Sequence, residues 1–206
     1  MPKEIELTVY GIDREEVVKK LEECKAIFVG KYHFKTINFE LGTRGSIKSL
    51  EASKEDENYY TAWLRVRTDG KRTTLTLKEQ YGTTILKRSE YEVEVSDLLK
   101  TIKIIMKLLP NAQYKYMESE REEYKLGEVT IDINKRPYLL YSIEIEGPTQ
   151  EVVMETYKKL GIKKEPIKSI AVPEEEIYKL FGGDYKKVSE EYKEKLEKLL
   201  AELDKI

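Results

Sequence analysis

The chain has 206 residues, of which 37 are Lys or Arg and 39 are Asp or Glu, for a net charge of -2. That balance excludes bulk attraction to nucleic acid or to an anionic membrane, so phosphate binding would have to come from local clustering of bases. Cys24 stands alone, which excludes an internal disulfide, and no apolar run approaches the roughly 18 residues of a spanning helix.

The lone cysteine points to a reduced, cytoplasmic setting, and the N-terminal Met1-Pro2-Lys3-Glu4, which leads straight into a strand, is not expected to be a leader. That first strand covers about 4–10, with Glu4, Glu6 and Thr8 alternating with Ile5, Leu7 and Val9. Asp13 and Glu16 have capping-box spacing and start a helix to about Lys25, on which Cys24 is expected to be buried filler. A strand near 32–41 precedes a polar stretch over 42–58, a loop length that points to function. Strands follow at about 60–69, 73–80 and 86–96, with turn signals at Asp69-Gly70 and Tyr81-Gly82. Ser96 is expected to cap a helix ending at Pro110, with Leu98, Ile102, Ile105 and Leu109 on its apolar stripe. Further strands are predicted at about 113–126, 128–134 and 139–146. Thr149 caps a helix closed by Gly161. Pro173 opens a short helix that Gly182-Gly183 breaks, and a last helix runs from about Tyr185 to Leu203. The expected organisation is one domain over 1–183 with an amphipathic helix over 184–206. The stripe of Val188, Tyr192, Leu196, Leu199 and Leu203 should pack on the domain; a homodimer contact is the alternative.

Side chains on a strand change face with period two, so the alternating residues of each strand form one surface. Here those surfaces carry charge doublets: Arg65 and Arg67, Glu90 and Glu92, Glu144 and Glu146. Two like charges about 5 Å apart at an effective dielectric of about 20 repel by about 3 kcal/mol. Acidic doublets on some strands and basic ones on others therefore suggest a lined cavity for an anion and metal ions. The expected fold is α+β: a closed antiparallel β-barrel, or tunnel, of about eight strands with helices packed outside.

These strands resemble the CYTH superfamily, which includes class IV adenylate cyclases, thiamine triphosphatases and inorganic triphosphatases. Glu4-Ile5-Glu6-Leu7-Thr8 resembles its opening E-x-E-x-K motif, and Trp63-Leu64-Arg65-Val66-Arg67 its L-R-I-R strand. Leu75-Thr76-Leu77-Lys78 is similar to L-T-x-K, and Arg88-Ser89-Glu90-Tyr91-Glu92 to R-x-E-x-E. Arg121 with Tyr124, the strand carrying Asp132, and Ser142-Ile143-Glu144-Ile145-Glu146 complete the order over roughly 3–170. Four features depart from the pattern: Thr8 in place of a Lys, Asn38-Phe39-Glu40 in place of Tyr-Phe-Asp, Ser119 where Lys is frequent, and the long 42–58 segment.

The resemblance implies a triphosphate-containing substrate and Mg²⁺ or Mn²⁺ as cofactor. Arg65, Arg67, Lys78, Arg88 and Arg121 become the phosphate ligands, joined by Lys168 from a Lys-Ser segment, with Arg65, Arg67 and Lys78 as catalytic groups. Glu4, Glu6, Glu92, Asp132, Glu144 and Glu146 become the metal set. The implied reaction is metal-dependent hydrolysis of tripolyphosphate, thiamine triphosphate or a nucleoside triphosphate, since no base pocket is evident. An adenylate cyclase making cyclic AMP and a non-catalytic polyphosphate- or nucleotide-binding module, suggested by Thr8, are the alternatives. An interaction protein using the C-terminal helices is a third reading, and without the resemblance the charged faces would read as solvated sheet surface. Glu94, near a strand end, reads as surface, and His33, without a Ser or Cys partner, as structural or exposed. Arg44 in Gly42-Thr43-Arg44-Gly45 lacks a Walker context.

Overall fold

The computed structural model describes residues 5–44, 60–81, 87–167 and 173–206, with side chains at all of these but 43, 44, 87 and 88. The described strands are β1 (Ile5–Tyr10), β2 (Ile27–Arg44), β3 (Tyr60–Thr68), β4 (Thr73–Tyr81), β5 (Lys87–Val95), β6 (Tyr114–Leu126), β7 (Val129–Lys135) and β8 (Ser142–Gly147). The helices are α1 (Arg14–Glu23), α2 (Leu98–Leu108), α3 (Gln150–Leu160), α4 (Glu174–Leu180) and α5 (Tyr185–Leu203). All eight strands form one antiparallel sheet in the order β1-β8-β7-β6-β2-β3-β4-β5.

The apolar face of the sheet is covered by helices in two patches. Under α1 and α3, Val9, Ile131, Ile143 and Ile145 are fully buried with Leu21. Under α2, α4 and α5, Phe39 and Val66 pack with Ile102, Tyr178 and Val188. A fully buried aliphatic or aromatic side chain contributes about 1.5–3 kcal/mol, so these faces fix which side of each strand turns inward. The α5 stripe packs on the sheet: Val188, Tyr192 and Leu203 are buried, with Leu196 and Leu199 against them.

Among the described residues the sheet is not closed by hydrogen bonds, so the expected closed barrel is not confirmed. Among the described residues β1 pairs with β8 and β5 with β4, and no ladder joins β1 to β5. The sheet nevertheless curls, because Glu6 of β1 and Glu90 and Glu92 of β5 line the same cavity.

Several boundaries also shift. β2 begins at Ile27 rather than near 32, because the long β6 recruits Ile27 and Phe28 opposite Lys125 and Tyr124 across a bulge. β8 begins at Ser142 rather than 139, since Tyr138 has a positive φ of 57° in the preceding turn. Asp97, not Ser96, caps α2 by accepting from Lys100 N at 2.9 Å. Asp13 caps α1 as expected, but Glu16 lies 3.5 Å from Lys163 instead of completing a box. Cys24 is half-buried against the α1 patch. Of the predicted 42–58 loop, 42–44 belongs to β2 and 45–58 lies outside the described residues, as does Gly82.

Candidate functional site

The concave face of the sheet encloses a polar cavity of about 320 Å³ to which every strand contributes. Its charges are sorted by strand. Glu6, Asp132, Glu144 and Glu146 come from β1, β7 and β8. Register sets Glu6, Glu146 and Thr130 in one cross-strand row and Thr8, Glu144 and Asp132 in the next. The facing wall carries Arg65 and Arg67 on β3 and Lys78 on β4, flanked by Glu90 and Glu92 on β5. Arg121 of β6 stands between the walls.

Most of these cations are paired. Arg65 lies 3.7 Å from Glu90 and 3.6 Å from Glu92, whose other contact is the Thr76 hydroxyl, donating at 2.8 Å. Lys78 is in contact with Glu90. Arg121 reaches Asp132 at 2.5 Å, Glu144 at 3.0 Å and the Asn134 side-chain oxygen at 2.9 Å. Arg67 differs: among the described residues its contact is the Phe34 ring, 4.3 Å from the guanidinium carbon, and no carboxylate lies within ion-pair distance.

The electrostatics follow from burial and neighbours. Burial, then Arg65 and Arg121, pushes the Arg67 guanidinium down to about 10. Burial also lowers Arg65, with Glu90 and Glu92 acting against it. For Arg121 burial is outweighed by Glu144 and Asp132, and the group is held more firmly charged. Burial raises Asp132 to about 7, Arg121 opposing and Glu144 assisting. The two halves of this ion pair move differently because Arg121 is shared with Glu144, while Asp132 is the more buried member.

Hard carboxylate oxygens in register on three strands are suitable donors for Mg²⁺ or Mn²⁺. Asp132 Oδ1 is buried without a hydrogen-bond partner, so it is the oxygen with most to gain from a cation. Among the described residues no three such side chains converge on one point, and Arg121 serves as the counter-ion of Asp132 and Glu144. The donor chemistry fits a divalent ion; a gathered cage is not formed.

The cavity therefore brings together Arg65, Arg67, Lys78, Arg121, Glu6, Glu92, Asp132, Glu144 and Glu146 of the residues expected from the sequence. Glu4 and Lys168 lie outside the described residues; Arg88 is placed by its backbone opposite Gln80, and its side chain lies outside them. Sequence reasoning counted Glu90 among the charge doublets of the cavity but gave it no ligand role, and it missed Arg136 in the lining. Glu90 shares its strand face with Glu92, and Arg136 continues the period-two series from Asp132 and Asn134, so both signals were present. His33 is 57% exposed on the convex face near Glu118, and Glu94 is exposed beside Arg72.

A family model for the CYTH domain matches residues 53–169. The chain belongs to the CYTH family. Members of that family act on triphosphates, as triphosphatases or adenylate cyclases, and generally depend on divalent metal ions. This CYTH chain is similar in structure to the PH1012 protein of Pyrococcus horikoshii OT3, with 24% identity and a TM-score of 0.63 over 79% of this chain and 94% of that one. It is also similar to a conserved hypothetical protein of Pyrococcus furiosus, at 22% identity and TM-score 0.65 over 84% and 99% of the two chains. A Vibrio parahaemolyticus protein provisionally called an adenylate cyclase aligns at 10% identity and TM-score 0.58, over 86% and 98%. At these identities the likeness is one of fold. No curated protein matches this CYTH sequence. No helix among the described residues is long and apolar enough to cross a membrane.

Proposed function

We propose that the cavity binds the phosphate chain of a triphosphate-containing substrate and that the protein hydrolyses it with a divalent metal ion. The observation that carries this reading is Arg67, a cavity guanidinium backed by an aromatic ring and without a carboxylate partner among the described residues. A buried, unpaired charge is costly, and an anion entering the cavity would relieve it. Arg65 and Lys78 extend the same wall, so the three cations can follow a chain of phosphate oxygens and stabilise charge as it moves to the leaving group. Glu6, Asp132, Glu144 and Glu146 would hold the metal. An ion held by these carboxylates would supply charge neutralisation at the phosphate oxygens and a lowered pKa for water. Hydrolysis is favoured over cyclisation because the described lining is charged or polar apart from Trp63 and Met117.

The test is a panel of tripolyphosphate, thiamine triphosphate and nucleoside triphosphates with Mg²⁺ or Mn²⁺, followed by identification of products. Orthophosphate with a diphosphate is the expected result; cyclic nucleotide would instead make the protein a cyclase. Thr8 motivates a binding-only reading. Its buried hydroxyl donates to Glu6 at 3.1 Å, a neutral group where the family motif carries a Lys. Thr8→Lys separates the cases: turnover in the parent sequence supports hydrolysis, whereas turnover in the variant alone supports a binding module. Binding and turnover absent across the panel, in folded parent protein with either metal, would end both.

A further inference from the structure

We infer that Phe34 is a positioning residue, which holds Arg67 charged and oriented toward the cavity while leaving its N–H donors free for an oxyanion. This rests on the cavity being the triphosphate site. Phe34 lies on the concave face of β2, opposite Ser119 and one inward position before Thr36, which itself lines the cavity opposite Arg67. Arg67 stands over the ring at 4.3 Å, and Arg121 approaches the same ring at 5.8 Å. The ring face is electronegative and attracts a guanidinium without accepting conventional hydrogen bonds from it. A carboxylate in that place would engage the donors and cancel the charge, as Asp132 and Glu144 do for Arg121. Phe34 thus offsets part of the repulsion among Arg65, Arg67 and Arg121 while the donors stay available.

The ring is itself held. Tyr32 stacks on Phe34 with centroids 5.6 Å apart and planes 12° apart. Gly30 makes room for that stack, since a Cβ there would come within 2.9 Å of the Tyr32 hydroxyl oxygen. The bulge between Phe28 and Gly30 sets the register in which Tyr32 and Phe34 both face inward. The segment from Gly30 to Phe34, outside the family motifs, is therefore the support behind a phosphate-facing arginine.

The experiment measures tripolyphosphate binding by titration calorimetry for the parent, Phe34→Leu, Phe34→Tyr, Arg67→Gln and the Phe34→Leu/Arg67→Gln double variant. Each is first shown by its melting curve to be folded. Phe34→Leu is expected to weaken binding by a factor of roughly 2–30, the range of one desolvated cation–π contact. Phe34→Tyr should retain most of the affinity. In the Arg67→Gln background, Phe34→Leu should have little further effect, because the ring acts through Arg67. Equal losses from Phe34→Leu in both backgrounds, or no loss in either, would overturn the inference. Failure of the parent to bind would instead overturn the proposed function, so the two outcomes are distinguishable.

Discussion

Arg65 and Arg67 lie two residues apart on one strand face and meet different surroundings. Arg65 sits between Glu90 and Glu92, and Arg67 against a ring. The alternation shows that both side chains point the same way, but not which of them is neutralised. The same holds on the convex face at Glu118, which lies beneath α5. There the Tyr116 hydroxyl donates to it, Lys195 lies 2.6 Å away and His33 3.7 Å. Burial works to raise Glu118, but Lys195 and Tyr116 outweigh it and hold the group below the ordinary carboxylate range. A carboxylate depressed on folding contributes stability above its unfolded pKa and loses it as pH falls through the folded value. Glu118→Gln is therefore expected to cost about 1–3 kcal/mol at pH 7 and to flatten the loss of stability below about pH 4.5. Urea midpoints at pH 7 and pH 3 check this, and a variant with the parent's acid limb would show that the pair contributes nothing.

At the scale of elements, caps and breakers were legible because their chemistry is local. Asp13, Thr149 and Gly161 sit where their side chains or backbone freedom require. Boundaries failed where a partner strand decided them, as for Ile27 opposite Lys125. The α4–α5 junction depends on both kinds of cause. Gly182 takes a φ of 66°, while Gly183 is packed so closely that a Cβ would lie 2.6 Å from the Tyr138 carbonyl oxygen and 2.7 Å from Tyr178 Cδ1. Gly183→Ala is expected to destabilise the protein by about 1–3 kcal/mol through overpacking. Thermal melting checks this. An unchanged midpoint would mean that the junction relaxes freely.

For the whole molecule, the question is whether 184–206 is an appendage. Val188, Tyr192 and Leu203 share a core with Tyr116, Ile102 and Ile105, and the Tyr192 hydroxyl donates to the Glu118 carbonyl oxygen at 2.9 Å. Removing the segment would expose that core and strip Lys195 from Glu118. The truncated chain is expected to lose cooperative thermal unfolding, followed by circular dichroism; a sharp transition near the parent's midpoint would show that the remainder folds alone.

Alternation of apolar and ionised residues marked strands and sorted their side chains into an apolar and a charged face, because period two is a local property of an extended backbone, and the resemblance to the CYTH family added the roles of nine of the cavity's side chains. Helix number and most caps followed from equally local rules. Pairing across the cavity lay beyond that reach: Arg121 came to rest on Asp132 and Glu144, Arg67 on Phe34, and among the described residues no ladder joins the edges β1 and β5. Those outcomes depend on strand order and curl, which bring together side chains far apart in the chain and set, by distance and burial, which charges cancel and which remain for a ligand.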